Sequence, residues 1–99
     1  MKYVVTWEVR ADFSQEMQDQ ALQVFGKWSP AEGNDFREFV GRVDGRGGFA
    51  FVEAADPTSI LRDVAVFNAF FDMNAYPVVD VREQTQVISE AAEFRRSAG

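Results

Sequence analysis

The stretch from Asp35 to Glu53, DFREFVGRVDGRGGFAFVE, constrains the fold more than any other part of this chain. Two runs rich in Phe and Val flank Asp44-Gly45-Arg46-Gly47-Gly48. Asp-Gly and Gly-Gly supply the positive φ that tight hairpin turns require, so the stretch reads as a β-hairpin. In its second arm Phe49, Phe51 and Glu53 share one face, and Ala50 and Val52 the other. In its first arm Phe36, Glu38, Val40 and Arg42 alternate with Arg37, Phe39, Gly41 and Val43. A glycine inside a strand marks a bulge or a close backbone approach, which puts such a feature at Gly41.

The flanking segments supply the elements that pack on this hairpin. Lys2–Val9 (KYVVTWEV) is β-branched and aromatic, with Tyr3, Val5 and Trp7 on one face and Val4, Thr6 and Glu8 on the other. Asp12 and Ser14 offer N-caps, and Gln15 follows Asp12 by three as in a capping box. Met17, Ala21, Val24, Phe25 and Trp28 then form an apolar stripe at helical period, with Gln18, Asp19, Gln20 and Gln23 on the wet side. Ser29-Pro30 and Gly33 end that helix. Asp56-Pro57 opens a second helix whose inner stripe is Ile60, Val64, Phe67 and Phe71, with Asn68 pointing with it. Ala75–Val81 reads as a fourth strand entered through Pro77, which belongs at a strand's start or on an edge strand. Thr85–Arg96 predicts a last helix with Val87, Ile88, Ala91 and Ala92 on one side.

The order is β-α-β-β-α-β plus a C-terminal helix, within one domain of 99 residues: a core over 1–83 and a helix and tail over 84–99. This predicts an α+β, ferredoxin-like chain with two helices on one face of a four-stranded antiparallel sheet. The other sheet face keeps apolar side chains that a monomer leaves bare. Two sheets are therefore expected to pack face to face in a homodimer.

Composition narrows function mostly by exclusion. Cysteine and histidine are both absent. That removes disulfides, thiolate nucleophiles, Ser-His-Asp chemistry and the usual zinc and iron ligands. No cofactor and no metal site are implied, and the carboxylates show no calcium-loop spacing. A net charge of −6 with scattered basic residues argues against nucleic acid. Lys2–Val9 is too short and too soon charged for a signal peptide, and no apolar run approaches a membrane span, so a cytoplasmic location is expected. Ten Phe in so short a chain leave two uses for the surplus: a very aromatic core, or aromatic surface for a ligand or second subunit.

The chain resembles domain-of-unknown-function family 3303, within the dimeric α/β-barrel (ferredoxin-like) superfamily. The likeness rests on Gly48-Phe49-Ala50-Phe51-Val52-Glu53, Asp56-Pro57, Phe67-Asn68 and Pro77-Val78-Val79-Asp80. Family members often carry Trp-His at the end of the second strand, where this chain has Val43-Asp44, so any imidazole role is lost or taken over by Asp44. The resemblance implies two sheets packed as a dimeric α/β barrel. By analogy with the wider superfamily it also implies cofactor-independent cyclase, isomerase, condensing or monooxygenase-type chemistry on an aromatic natural product.

Candidate site residues follow from the side chains themselves. Glu53 at the end of the third strand is a candidate base at the mouth of an apolar pocket, its pKa raised by burial. Asp44 is a second candidate base, and Asn68 would orient a ligand carbonyl or hydroxyl. Arg42 would bind an acidic or polar group, and Trp7, Phe67, Phe71 and Tyr76 would wall a cavity for a flat ligand, as Trp28 and Phe70 would. The bland alternatives are a core of ordinary aromatics, a solvent-exposed Arg42–Asp44 turn pair, a capping Asn68, and a helix-capping or ion-pair role for Glu53 beside Asp56. An apolar metabolite held without chemistry, and a purely structural homodimer, are the competing functions.

Overall fold

The computed structural model describes residues 1–99. Strand β1 (Lys2–Val9) leads into helix α1 (Gln15–Lys27), then β2 (Asn34–Gly41) and β3 (Gly47–Ala54). Helix α2 (Pro57–Phe67), strand β4 (Phe71–Val78) and helix α3 (Val81–Ala98) complete the chain. The four strands form one antiparallel sheet in the order β2-β3-β1-β4, the ferredoxin-like arrangement expected from the sequence.

Local chemistry explains the element ends. Ser14, not Asp12, caps α1, accepting from the Met17 amide at 3.1 Å. Asp56 caps α2 through the Ser59 amide at 2.9 Å, with Pro57 at the start of the helix. In the hairpin, Gly45 takes φ +72°, and its amide bonds the Arg42 carbonyl at 3.0 Å. The turn thus spans more residues than a two-residue Asp-Gly loop.

The alternation expected for the first hairpin arm breaks at one point. A β-bulge lies between Phe36 and Glu38 rather than at Gly41. The extra residue, Arg37, shifts the side-chain period by one. Phe36 pairs with Val52 and Phe39 with Ala50, so both rings face the helices. The fourth strand also starts earlier than expected, at Phe71, because α2 ends at Phe67. Pro77 therefore lies near that strand's end, on an edge of the sheet as its missing N–H demands.

The fully buried core is small. Tyr3, Val5, Ala50, Val52, Ala54 and Ile60 form it, with Phe36, Val64 and Met73 packed around. No phenylalanine is fully buried. The opposite sheet face is open, presenting Val4, Phe49, Phe51 and Tyr76, and Phe49 and Phe51 are 43% and 42% exposed. Helix α3 begins four residues before the expected start, capped by Asp80, and has no buried residue.

One close approach holds the sheet at its hairpin end. The Trp7 indole lies against Gly48, where a Cβ would run into the ring and into the Val40 carbonyl. Gly48→Ala should therefore cost about 3 kcal/mol, the upper end of overpacking costs, in urea unfolding. A variant as stable as the parent would mean Trp7 does not rest there.

Candidate functional site

The space between α1 and the sheet is an open cavity of about 460 Å³. Val5, Trp7 and Val9 of β1, Phe36 and Phe39 of β2, and Phe71 and Met73 of β4 line the sheet side. Ala21, Leu22 and Phe25 of α1, Ile60, Val64 and Phe67 of α2, and Phe13 and Trp28 from the loops line the rest. The apolar positions of the two helices put these side chains there, and the bulge at Arg37 adds Phe36 and Phe39.

Trp7, Phe25, Trp28, Phe36, Phe39 and Phe67 form a connected wall of edge-to-face and tilted contacts. Trp28 meets Phe67 at 5.3 Å and Phe36 at 5.5 Å, both near perpendicular, and Trp7 meets Phe39 at 5.4 Å and 87°. Phe25 touches Phe39 and Phe67 at 6.0 and 6.3 Å. Phe13 stacks tilted on Phe71 at 5.4 Å. Leu22, Phe25 and Phe39 remain 62%, 51% and 44% exposed, which makes them the rim.

Two polar side chains reach the cavity lining, Gln18 and Asp63. Asp63 is buried, and its oxygens are already occupied. They accept from Trp28 Nε1 at 3.0 Å, from the Ala31 amide at 3.0 Å and from Asn34 Nδ2 at 2.6 Å. Asn34 Nδ2 also donates to the Ser59 carbonyl at 2.8 Å, while Asn34 Oδ1 is buried and receives no donor from the chain. This carboxylate ties the connection between α1 and β2 onto α2.

Of the residues picked out from the sequence, Trp7, Phe67 and Phe71 meet at the cavity, and Trp28 joins them. The others are elsewhere. Glu53 lies on the open sheet face and binds the amino-terminal ammonium at 2.9 Å. That hydrogen bond and charge hold its carboxyl below the ordinary carboxylate range, the reverse of a base raised by burial. Asp44 is exposed in the hairpin turn, bonded to the Arg46 amide at 3.0 Å and to Arg42 at 2.5 Å. The Arg46 amide, then Arg42, lower its pKa too. Arg42 is engaged by Asp44 and by Glu8 at 3.8 Å. Asn68 is exposed at the end of α2, its carbonyl 3.4 Å from an Arg10 nitrogen, and Tyr76 is on the open face.

Sequence reasoning missed Gln18, assigned to the wet side of α1, and Asp63, Leu22, Phe13, Phe36 and Phe39. The i, i+3, i+4 positions around Ala21 include Gln18 and Phe25, so helical spacing carried the Gln18 signal. Asp63 three residues after Ile60 carried the other, as an acid on an apolar helix face. No group of three His, Cys, Asp or Glu side chains is placed to hold a metal ion. No helix is long and apolar enough to cross a membrane.

A four-stranded βαββαβ sheet with an aromatic cavity under its helices defines a ferredoxin-like α+β protein. Within that class the chain belongs to the family described as Domain of unknown function (DUF3303), whose model matches residues 1–92. Among solved structures it is similar to Rv0793 from Mycobacterium tuberculosis at 10% identity, with a TM-score of 0.43. That match covers 80% of this chain and 94% of the other. No curated protein matches.

Two measurements check this geometry. Asp63→Ala leaves the Trp28, Ala31 and Asn34 donors without their acceptor and should cost about 3 kcal/mol in denaturant unfolding; a loss under about 1 kcal/mol would mean the clamp is idle. Acetylating the amino terminus should raise the Glu53 pKa toward its ordinary 4.5 in an NMR titration. Because the folded pKa is depressed, the pairing contributes stability above that ordinary value, and the contribution is lost as pH falls through the folded pKa. The acetylated protein should therefore differ from the parent at neutral pH and converge with it in acid.

Proposed function

We propose that this protein holds a flat, uncharged, aromatic or apolar small molecule of natural-product type in the cavity between α1 and the sheet, as an accessory or carrier protein. The observation that carries the reading is the cavity itself. At about 24 cal/mol per Å³, a sealed void of this volume would cost on the order of 10 kcal/mol, comparable to a small domain's whole stability. Such a space is sustained only by being open and available to fill, and its size lies within the range of small-molecule sites. The lining offers ring edges and faces, and almost no polar atoms to favour a charged ligand.

Binding is favoured over catalysis by the polar groups. The bases expected from the sequence, Glu53 and Asp44, are ion-paired outside the cavity, and Asn68 does not line it. Asp63 has its oxygens filled by Trp28, Ala31 and Asn34. An acid–base step needs a group within reach of the reacting proton and free to take it. Turnover in this cavity would rely on reactivity carried by the ligand. The open sheet face supports a further part of the reading, a homodimer in which two such faces meet.

A neutral fluorescent probe such as N-phenyl-1-naphthylamine should bind with micromolar affinity and quench Trp7 and Trp28. Ala21→Trp fills the cavity from α1 and should abolish binding while preserving the circular dichroism spectrum. Glu53→Gln and Asn68→Ala should leave it unchanged. Equal probe affinity in Ala21→Trp and the parent would remove the cavity as the site.

A further inference from the structure

Helix α3 is the part of the chain that its own domain does not use. No residue of its 18 is buried, and it packs against no other element to any extent. Val87, Ile88 and Phe94 are 57%, 57% and 71% exposed. Val87, Ala91, Phe94 and Ala98 recur at spacings of four, three and four, with Ile88 beside them, which makes one apolar side. Helices in proteins draw most of their stability from packing an amphipathic face, so a side of this kind implies a surface that covers it.

Its trajectory keeps it from its own sheet. Only Val79 and Asp80 separate it from β4, and the Asp80 carboxylate caps it at the Arg82 amide, 2.9 Å away. A strand of eight residues and a helix of 18 laid end to end span roughly 50–55 Å. The molecule's long dimension is 59 Å, and its radius of gyration is 17.6 Å, against about 13 Å for a compact chain of this length. The helix therefore runs outward from the end of the sheet.

Charge and area point to what covers it. Three arginines and three glutamates cancel within α3, so the net −6 of the chain resides in residues 1–80. A neutral arm ending in Arg95-Arg96 complements that acidic domain, whereas its three glutamates disfavour an anionic lipid surface. At about 150–200 Å² for a full side chain, the exposed parts of Val81, Val87, Ile88 and Phe94, with those of Phe49, Phe51 and Tyr76, reach roughly 700 Å². A standard interface takes about 800 Å² from each partner. The large apolar side chains of the sheet face, Phe49, Phe51 and Tyr76, supply less than half of that by themselves.

We infer that α3 is a dimerisation arm, packing its Val87–Ile88–Ala91–Phe94 side on the second protomer of a two-fold homodimer. This rests on the homodimer reading and adds to the sheet contact the area that contact lacks. In a two-fold arrangement each arm covers the other copy, so both uncovered surfaces of one chain are satisfied at once.

Sedimentation velocity and native hydrogen exchange on the full chain test it. Ile88→Asp and Phe94→Asp should each weaken dimerisation about a hundredfold, while Ser89→Asp, on the opposite side of the helix, leaves it intact. The α3 amides should be protected in the parent dimer and exchange freely in Ile88→Asp. Neither aspartate disturbs the monomer's core, since α3 contributes nothing to it. A parent dimer with unprotected α3 amides, or unweakened dimers in both variants, overturns the arm and leaves the sheet-to-sheet dimer standing. A parent that sediments as a monomer at micromolar concentration overturns both.

Discussion

A single buried carboxylate sets the geometry of the helical layer. Asp63 accepts hydrogen bonds from Trp28, Ala31 and Asn34, and so fixes the end of α1 and the start of β2 to α2. The rest of α1 is held by side chains alone. Ala21 is its one buried residue, while Leu22 and Phe25 reach over the cavity from a helix that is pinned at its C-terminal end. Were α1 seated flat on the sheet, the same rings would close into an ordinary core. Because the pin acts at one end, the space between stays open, and the aromatic side chains become walls instead of filling.

The ten phenylalanines take their meaning from this arrangement. Six of them, Phe13, Phe25, Phe36, Phe39, Phe67 and Phe71, line the cavity. Phe49 and Phe51 stand on the open sheet face, and Phe94 stands on α3. Tyr3 is the one ring in the true core, which is otherwise made of the smaller side chains Val5, Ala50, Val52, Ala54 and Ile60. Burying rings at about 25 cal/mol per Å² would have been the cheaper way to stabilise a domain this small. Instead the rings are left half-exposed on three separate surfaces.

Element order, the two capped helices and the strand faces of β1 and β3 were legible because each rests on a local rule: Asp56-Pro57, or Tyr3-Val5-Trp7 alternating with Val4-Thr6-Glu8. The faces of β2 were not. A bulge at Arg37 reverses every later side chain in that strand, and no glycine or proline marks it; the glycine at Gly41 drew attention to the wrong place. Glu53 was misjudged for a related reason. Alternation puts it with Phe49 and Phe51, but which face looks at helices is a tertiary fact, and the aromatic face is the open one. Met1 is 52 residues away in sequence, so the ammonium that captures Glu53 was invisible to any local pattern.

The same reasoning separates the two uses of polarity in this protein. Its charged groups cluster where water or an opposite charge can satisfy them: Arg42 between Glu8 and Asp44 at the hairpin, Glu53 at the amino terminus, Arg10 beside Asp12. The carboxylates with a resolved displacement are pushed toward the charged form, and both lie outside the cavity. A carboxyl acting as general acid or base works best with its pKa raised toward the working pH, the opposite displacement. Asp63 is buried at the cavity, but its oxygens are taken by Trp28, Ala31 and Asn34. The one acid in the cavity lining is thus committed to architecture, and, Gln18 apart, the rest of the lining offers ring and alkyl surface.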